Sequence, residues 1–197
     1  MHTYIELVYR GEIADEEKRK AFNQATYRLT DLFGRNAAVK LKGVKKIHVK
    51  FMEKDKAFEV YPPDKELPVI SIYQAFDIAR YFALDKPARR AYMAETLYQA
   101  LEQMCAKLGY GPQPFRQAYE KAKALGYENA CTPGKLKASP DRQHKAAVHI
   151  RVEEEYAEIS ALVQDKDGQE TAKIPLIRTL PHHIFIYKYI HSTQWPD

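Results

Sequence analysis

The chain of 197 residues lacks the motifs that identify most chemistries. Its eight glycines are scattered, mostly where helices or turns end, so they form no glycine-rich loop for phosphate. Serine is scarce, and no Gly-x-Ser-x-Gly sequence provides the nucleophile of a hydrolase. The spacings typical of zinc sites, His-Glu-x-x-His and paired Cys-x-x-Cys, are also missing. We therefore predict no metal site and no cofactor, and the sequence favours a non-enzymatic protein over an enzyme.

Few cysteines and the absence of long apolar runs indicate the compartment. Cys105 falls on the apolar stripe of a predicted helix and Cys131 in a predicted loop. Idle thiols in a reducing compartment explain this pair better than a structural disulfide does. The first residues show no basic segment followed by an apolar one, and no stretch approaches roughly 18 consecutive apolar residues. We therefore expect a cytoplasmic protein that has no signal peptide and does not bind a membrane.

The composition is that of a globular protein with a moderately basic surface. Hydrophobic residues make up 45% of the chain and charged residues 29%, with both signs mixed along most of it. Such a chain can bury a sizeable core and is not expected to be disordered. We therefore predict one α+β domain over residues 1–197. Its formal net charge of +5 permits acidic protein or nucleic-acid partners without choosing between them.

Hydrophobic periodicity predicts an N-terminal β-α-β-β unit and a helical middle of about three helices. The predicted elements are a strand at 3–9, a helix at 16–33, strands at 45–53 and 57–61, a strand that begins at 69 and becomes a helix running to 84, and helices at 86–108 and 113–125. Gly34 is expected to end the first helix in a left-handed conformation, and Asp85 to cap the helix at 86–108. Polar residues at 53–56 indicate a hairpin between the two middle strands.

From residue 145 onward the pattern is that of an antiparallel β-meander. Predicted strands cover about 145–152, 156–164, 170–178 and 183–191, the last with apolar groups on both faces and therefore central. Asp-Lys-Asp-Gly at 165–168 is the strongest turn signal, and Pro175 requires an edge strand or a bulge. Residues 128–143 have no periodicity, so we expect a flexible or functional loop there. Because strands and helices segregate along the chain, the predicted class is α+β.

A basic segment at residues 35–50 is the leading candidate for a binding surface. It has six Lys or Arg among sixteen residues and no acidic residue. The cationic candidates within it are Lys40, Lys42, Lys45, Lys46, His48 and Lys50. Lys46, His48 and Lys50 alternate with apolar residues, which places them on the outer face of a half-buried strand. We predict that this row binds an acidic protein or phosphates. The alternative is a solvated face whose lysines protect a sheet edge.

A second basic cluster surrounds the start of the predicted helix at 86–108. Its members are Arg80, Lys86, Arg89 and Arg90. The helix dipole already makes this end positive, so cations placed there suggest that an anion is held. We therefore include Arg89 and Arg90 in the predicted binding surface. The alternative is that these side chains extend into water or pair with carboxylates elsewhere, because exposed charges cost little in such places.

Three polar residues on one strand face provide an alternative, catalytic hypothesis. His149, Arg151 and Glu153 are the groups that a metal-independent ribonuclease needs. The imidazole and the carboxylate would share the acid and base roles, and the guanidinium would hold the phosphate. Many surface strands carry three polar residues, however, and further glutamates nearby would repel RNA.

Tyrosine is abundant, with fourteen residues against eight phenylalanines. Its rigid ring buries area while its hydroxyl stays in contact with water, which is why tyrosine is enriched at protein interfaces. Tyr187 and Tyr189 alternate on one face of the predicted last strand. We therefore predict that these two residues belong to the binding surface.

Together these features favour a protein-binding module that meets an acidic protein partner through a basic, tyrosine-rich surface. In general habit the chain resembles the bacterial immunity proteins that neutralise interbacterial toxins, because those proteins are often soluble, single-domain, α+β and free of catalytic signatures. The likeness is carried by no particular residue. It implies an inhibitor that acts by binding, and RNA binding or RNA cleavage by the same basic face is the alternative.

Overall fold

The structure, a computed structural model, describes residues 3–37, 39–181 and 185–186. The chain divides into two compact units, Met1–Glu128 and Asn129–Asp197, and each unit has its own sheet and apolar core. The predicted α+β class is confirmed, because a mixed sheet with helices precedes an antiparallel sheet of consecutive strands. This division into units does not test the prediction of a single domain, which stays a prediction.

The first unit follows the predicted order of a β-α-β-β segment and a helical middle. Within the described residues its elements are β1 (Tyr4–Tyr9), α1 (Glu16–Asn36), β2 (Lys46–Met52), β3 (Glu59–Tyr61), β4 (Val69–Ala75), α2 (Ile78–Ala83), α3 (Lys86–Leu108) and α4 (Gln113–Ala124).

The sheet of the first unit has the strand order β1-β2-β4-β3. Strands β1, β2 and β4 are parallel, and β3 is antiparallel to β4. The predicted hairpin between the second and third strands is therefore wrong. Ile47, Val49 and Phe51 of β2 are fully buried, and a position between two other strands suits such a strand. Since β2 is internal, its lysines do not protect a sheet edge.

Strand β4 is longer than the sequence suggested. The predicted change to helix soon after residue 70 is wrong, because the strand continues to Ala75 and the helix covers only Ile78–Ala83. Ile70 and Ile72 are fully buried and alternate with more exposed residues. This period of two is that of an extended strand, whose successive side chains point to opposite faces of the sheet.

The helices of the first unit begin at strong caps. Asp15 accepts a hydrogen bond from the amide of Lys18 and starts α1, and Asp85 does the same for Ala88 at the start of α3. Helix α3 matches its predicted bounds and ends at Gly109, whose φ is +74°. The predicted end of α1 at Gly34 is wrong, because the helix continues to Asn36 and the amide of residue 37 bonds to the carbonyl of Phe33.

The second unit is built around the predicted meander. Its described elements are β5 (Asn129–Cys131), β6 (Lys137–Ala138), β7 (His144–Val152), β8 (Ala157–Asp165) and β9 (Glu170–Thr179). The path of the sheet is β5-β7-β8-β9, and β6 also pairs with β7, so residues 128–143 contain two short strands. The register shifts between Ile159 and Ser160, opposite Ile177 and Pro175, which confirms the predicted bulge. Of the predicted last strand, 183–191, the structure describes only residues 185–186, and these two are helical, so the prediction is wrong there. The rest of it lies outside the described residues.

The turn between β8 and β9 is built as its sequence predicts. The carboxylate of Asp165 accepts hydrogen bonds from the amides of Asp167 and Gln169, each at 2.9 Å. Gly168 has a φ of +83°, a left-handed conformation that glycine adopts without strain. None of the helices in the described ranges combines the length and the apolar character that crossing a membrane requires.

Candidate functional site

The sheet of the first unit buries one face and leaves side chains of the other face partly accessible. In β2, three apolar residues at alternate positions are fully buried, whereas Lys46, His48 and Lys50 between them are partly exposed. The apolar face packs into the same core as the buried residues of α1 and α3. The sequence reasoning placed the three basic residues on one strand face, and they lie on the face turned away from this core.

The pairing register brings further polar residues of the neighbouring strands to the same face. We call this surface the open face and define it by Tyr4, Glu6, Lys46, His48, Lys50, Glu59, Tyr61, Ser71 and Tyr73. One row across the sheet joins Glu6, His48, Ser71 and Tyr61. The next row joins Lys50 to Tyr73 and Glu59. The open face therefore carries basic, acidic and aromatic groups side by side.

Both lysines of β2 have a partner on the open face. Lys46 forms an ion pair with Glu6, and its Nζ lies 5.6 Å from the centre of the Tyr4 ring. Lys50 Nζ donates a hydrogen bond of 2.7 Å to the hydroxyl of Tyr73. These contacts hold the two ammonium groups in fixed positions, and the carboxylate of Glu6 offsets part of the positive charge that the sequence predicts for this strand face.

His48 lies at the centre of the open face and is largely uncharged at neutral pH. Its Nε2 lies 3.5 Å from a carboxylate oxygen of Glu6, yet it is buried and makes no hydrogen bond within the described residues. Burial lowers the pKa of His48 below its usual 6.5, and Lys50 and Lys46 lower it further while Glu6 opposes them. The imidazole therefore acts as a neutral polar group between two lysines.

Three tyrosines on the open face were missed by the sequence reasoning. Tyr4 and Tyr61 are 57% and 52% exposed, and the ring of Tyr61 meets that of Tyr73 edge-on at 5.6 Å. The hydroxyl of Tyr61 donates to Glu59 at 2.7 Å. The sequence contains a signal for Tyr73, because it lies two residues after Ser71 and residues two apart in a strand share a face. The prediction of a helix in this segment hides that signal.

The arginines at the start of α3 have a structural explanation. Arg89 donates from Nε to the carbonyl of Leu84 and from a terminal nitrogen to that of Phe82, both at 2.8 Å. These carbonyls lie at the end of α2, where the helix dipole favours a cation. The guanidinium of Arg89 is thus bound to the backbone, and Arg90 is partly buried. Binding of a partner by Arg89 and Arg90 stays a prediction.

Only two of the three catalytic candidates of the second unit lie in a strand, because β7 contains His149 and Arg151 and ends at Val152, before the buried Glu153. The prediction that all three share one strand face is therefore wrong, and they do not form a free catalytic set. Arg151 Nε lies 2.9 Å from a carboxylate oxygen of Glu153, whose side chain is only 9% exposed. His149 Nδ1 lies 3.2 Å from the hydroxyl of Thr132. Burial lowers the pKa of His149, and Lys173 adds to that effect. The phosphate-binding group and the acid–base carboxylate of the hypothesis are therefore bound to each other.

Two predicted site residues, Tyr187 and Tyr189, lie outside the described residues. In the part of the chain that the structure describes, no three His, Cys, Asp or Glu side chains come together as metal ligands. Comparisons with protein-family models, with curated proteins and with solved structures find no match for this chain.

Proposed function

We propose that the chain is a non-enzymatic protein-binding module whose open face meets an acidic partner protein, as in an inhibitor or an immunity-type protein. One observation carries this proposal: exposed tyrosine rings and held lysines share a single sheet face. Protein interfaces are enriched in tyrosine, and their binding energy is concentrated in a few aromatic anchors. Tyr4 and Tyr61 are the most exposed of these rings, and they are the expected anchors.

The charge around the open face favours an acidic partner. On the face itself, Glu6 and Glu59 offset Lys46 and Lys50. Lys40, Lys42 and Lys45 lie just before β2, and all three are exposed. Basic residues at the rim of an interface raise the association rate with an acidic surface, whereas the aromatic anchors set how long the complex lasts.

RNA binding by the same face is the second candidate. The observation that favours it is the exposure of Tyr4 and Tyr61 beside lysines, because single-stranded nucleic acids stack their bases on such rings. The carboxylates of Glu6 and Glu59 on the same face oppose it, since RNA carries a negative charge on every nucleotide and its backbone would be repelled along the whole contact. The contact between Arg151 and Glu153 likewise leaves RNA cleavage with less support than RNA binding.

Affinity capture with three bait proteins tests the proposal. The baits are the wild type, a Tyr4→Ala/Tyr61→Ala double variant, and a Leu125→Ala control that removes a side chain 51% exposed elsewhere in the first unit. Each bait is exposed to native lysate with and without nuclease, and the captured proteins are quantified by mass spectrometry. We expect one stoichiometric protein on the wild type and the control, resistant to nuclease, and a loss of at least about tenfold on the double variant.

Two outcomes would reject this function. A captured partner that binds the double variant as well as the wild type would remove the open face from consideration. Nucleic acid that is captured by the wild type and lost after nuclease treatment would establish the RNA-binding alternative instead. All baits should show the same urea midpoint within error, because both tyrosines are more than half exposed and contribute little to folding.

A further inference from the structure

The loop between α1 and β2 is fixed in place by a buried threonine. We call residues 39–45 the lysine loop. Thr3 Oγ1 donates to the carbonyl of Val44 at 2.8 Å and accepts from the amide of Leu41 at 3.1 Å. Val39 and Val44 are 1% and 5% exposed, so both ends of the loop are anchored in the core. A loop whose backbone is already ordered loses little entropy when it binds a ligand.

The tip of the lysine loop is a tight turn with free backbone donors. The amide of Val44 donates to the carbonyl of Leu41 at 3.2 Å, and Gly43 has a φ of +76°. The left-handed conformation of Gly43, which glycine adopts without strain, lets the chain reverse between Leu41 and Val44. In the described part of the chain, the amides of Lys42 and Gly43 donate to no other group.

The three lysines of the loop differ from those on the open face. Lys40, Lys42 and Lys45 are exposed, and none forms an ion pair or a side-chain hydrogen bond within the described residues. Lys46 and Lys50, by contrast, are held by Glu6 and by a tyrosine hydroxyl. Three positive charges within six residues repel one another, and an anion placed among them relieves that repulsion.

The loop also borders a concave surface. A cavity of about 480 Å³ is lined by residues 40–45 and by Pro68. Its volume is in the usual range for a small-molecule site, roughly 300–1,000 Å³. Leu41 and Pro68 provide apolar surface beside the lysines. The site thus combines ammonium groups and backbone amides for an oxyanion with apolar contacts for an attached organic group.

We propose that the lysine loop is a binding site for a phosphate ester. The phosphate oxygens accept hydrogen bonds from the lysine ammonium groups and from the amides of Lys42 and Gly43, and the organic group lies against Leu41 and Pro68. Lysine is a good point-charge ligand for phosphate, and paired backbone amides complement its oxygens. This site uses none of the residues that define the open face, and its three lysines are also the ones placed at the rim of the proposed interface. The two proposals can fail separately, because the Tyr4→Ala/Tyr61→Ala variant leaves the lysine loop unchanged.

A titration with sodium pyrophosphate at low ionic strength tests this site. The amide resonances of the full chain are followed by NMR, and we expect saturable shifts at Lys42 and Gly43. A Lys40→Gln/Lys42→Gln/Lys45→Gln variant should raise the dissociation constant at least about tenfold, because three of the charged donors are lost. The matched control replaces Lys20, Lys121 and Lys166, all exposed and distant in sequence, by Gln, and it should bind like the wild type.

Three results would overturn the proposal. The first is an absence of saturable shifts at the two amides, and the second is an equal loss of affinity in the control variant. The third is a polyglutamate peptide that shifts the same amides as strongly as pyrophosphate does, since the loop would then recognise negative charge alone. Equal urea midpoints for both triple variants exclude unfolding as the cause of any loss.

Two further probes identify the source of the phosphate. A mononucleotide that binds as tightly as a long single-stranded oligonucleotide assigns the site to small phosphate esters. An affinity that rises with oligonucleotide length assigns it to a nucleic-acid backbone. In that case the triple variant should reduce the slope of log affinity against log salt by about 2, because each phosphate contact contributes roughly 0.7 for single strands.

Discussion

The hydroxyl of Thr3 gives a stringent test of how the lysine loop is held. Thr3 is only 5% exposed and its hydroxyl serves both the carbonyl of Val44 and the amide of Leu41. Thr3→Val keeps the shape of the side chain but leaves both backbone groups without their partner. A buried unsatisfied group costs about 1–3 kcal/mol, and the half-buried Leu41 amide falls at the lower end of that range.

The expected magnitude follows from setting these losses against the methyl group that valine adds. Burial of the extra methyl returns about 0.8 kcal/mol. We therefore expect Thr3→Val to lower the free energy of unfolding by about 2 kcal/mol. Thr3→Ser keeps both hydrogen bonds and loses one methyl group, so it should cost only about 1 kcal/mol. The more hydrophobic replacement is expected to be the more damaging one, which is the reverse of what burial alone predicts.

Urea denaturation followed by circular dichroism compares the two variants with the wild type. Hydrogen exchange adds a local measurement, because the Leu41 amide should lose protection in Thr3→Val and keep it in Thr3→Ser. Amides of β7 and β8 in the second unit provide the internal reference. The reasoning is refuted if Thr3→Val is as stable as the wild type, or if Thr3→Ser is the less stable variant of the two.

Three further predictions concern single side chains. Arg89→Met should lower the free energy of unfolding by about 1–2 kcal/mol, because two hydrogen bonds to the end of α2 are lost. Arg89→Lys should restore less than half of this loss, since one ammonium group cannot reach both carbonyls as the planar guanidinium does. Full restoration by lysine in urea denaturation would contradict this reasoning. Burial raises the pKa of the Cys105 thiol to about 11, so Ellman's reagent should not modify it near neutral pH until urea unfolds the chain. NMR should show that the pKa of His48 lies below 6.5. Because the unfolded chain then binds the proton more readily than the folded chain, the free energy of unfolding should fall as the pH drops below 6.5. His48→Gln should reduce that fall.

Helix bounds were predictable where the signals are local. Asp85 and Gly109 act on the residues next to them, so α3 was found at both ends from the sequence. Gly34 carried the same kind of signal, but the hydrogen bond from residue 37 to Phe33 continued the helix past it. A glycine permits a left-handed end without requiring one, and the packing of the last turn decides.

Strand pairing was predictable in the second unit and not in the first. Consecutive antiparallel strands are joined by turns that the sequence shows directly, as at 165–168. Strand β2 instead pairs with β1 across a helix, and with β4 across β3. Periodicity predicts that a strand exists and which residues share a face, but it contains no information about a partner far away in the chain.

The candidate site shows the same limit. The spacing of Lys46, His48 and Lys50 was enough to place them on one face. Their neutralisation was not predictable, because Glu6 comes from another strand and faces His48 only through the register of β1 with β2. A charge count over a sequence window therefore overstated the positive potential of this face. Within the basic segment, the lysines that form neither an ion pair nor a side-chain hydrogen bond among the described residues are Lys40, Lys42 and Lys45, in the loop before β2.

The parallel arrangement of β1, β2 and β4 bears on the order in which the molecule folds. Strand β1 cannot pair with β2 until α1, a helix of 21 residues, has brought the two together. Strands β7, β8 and β9 are each joined to the next by a short connection, and contacts between near neighbours in the chain form fast. After dilution from urea, protection from hydrogen exchange should therefore appear first in β7 and β8, with the sheet that carries the tyrosines formed later.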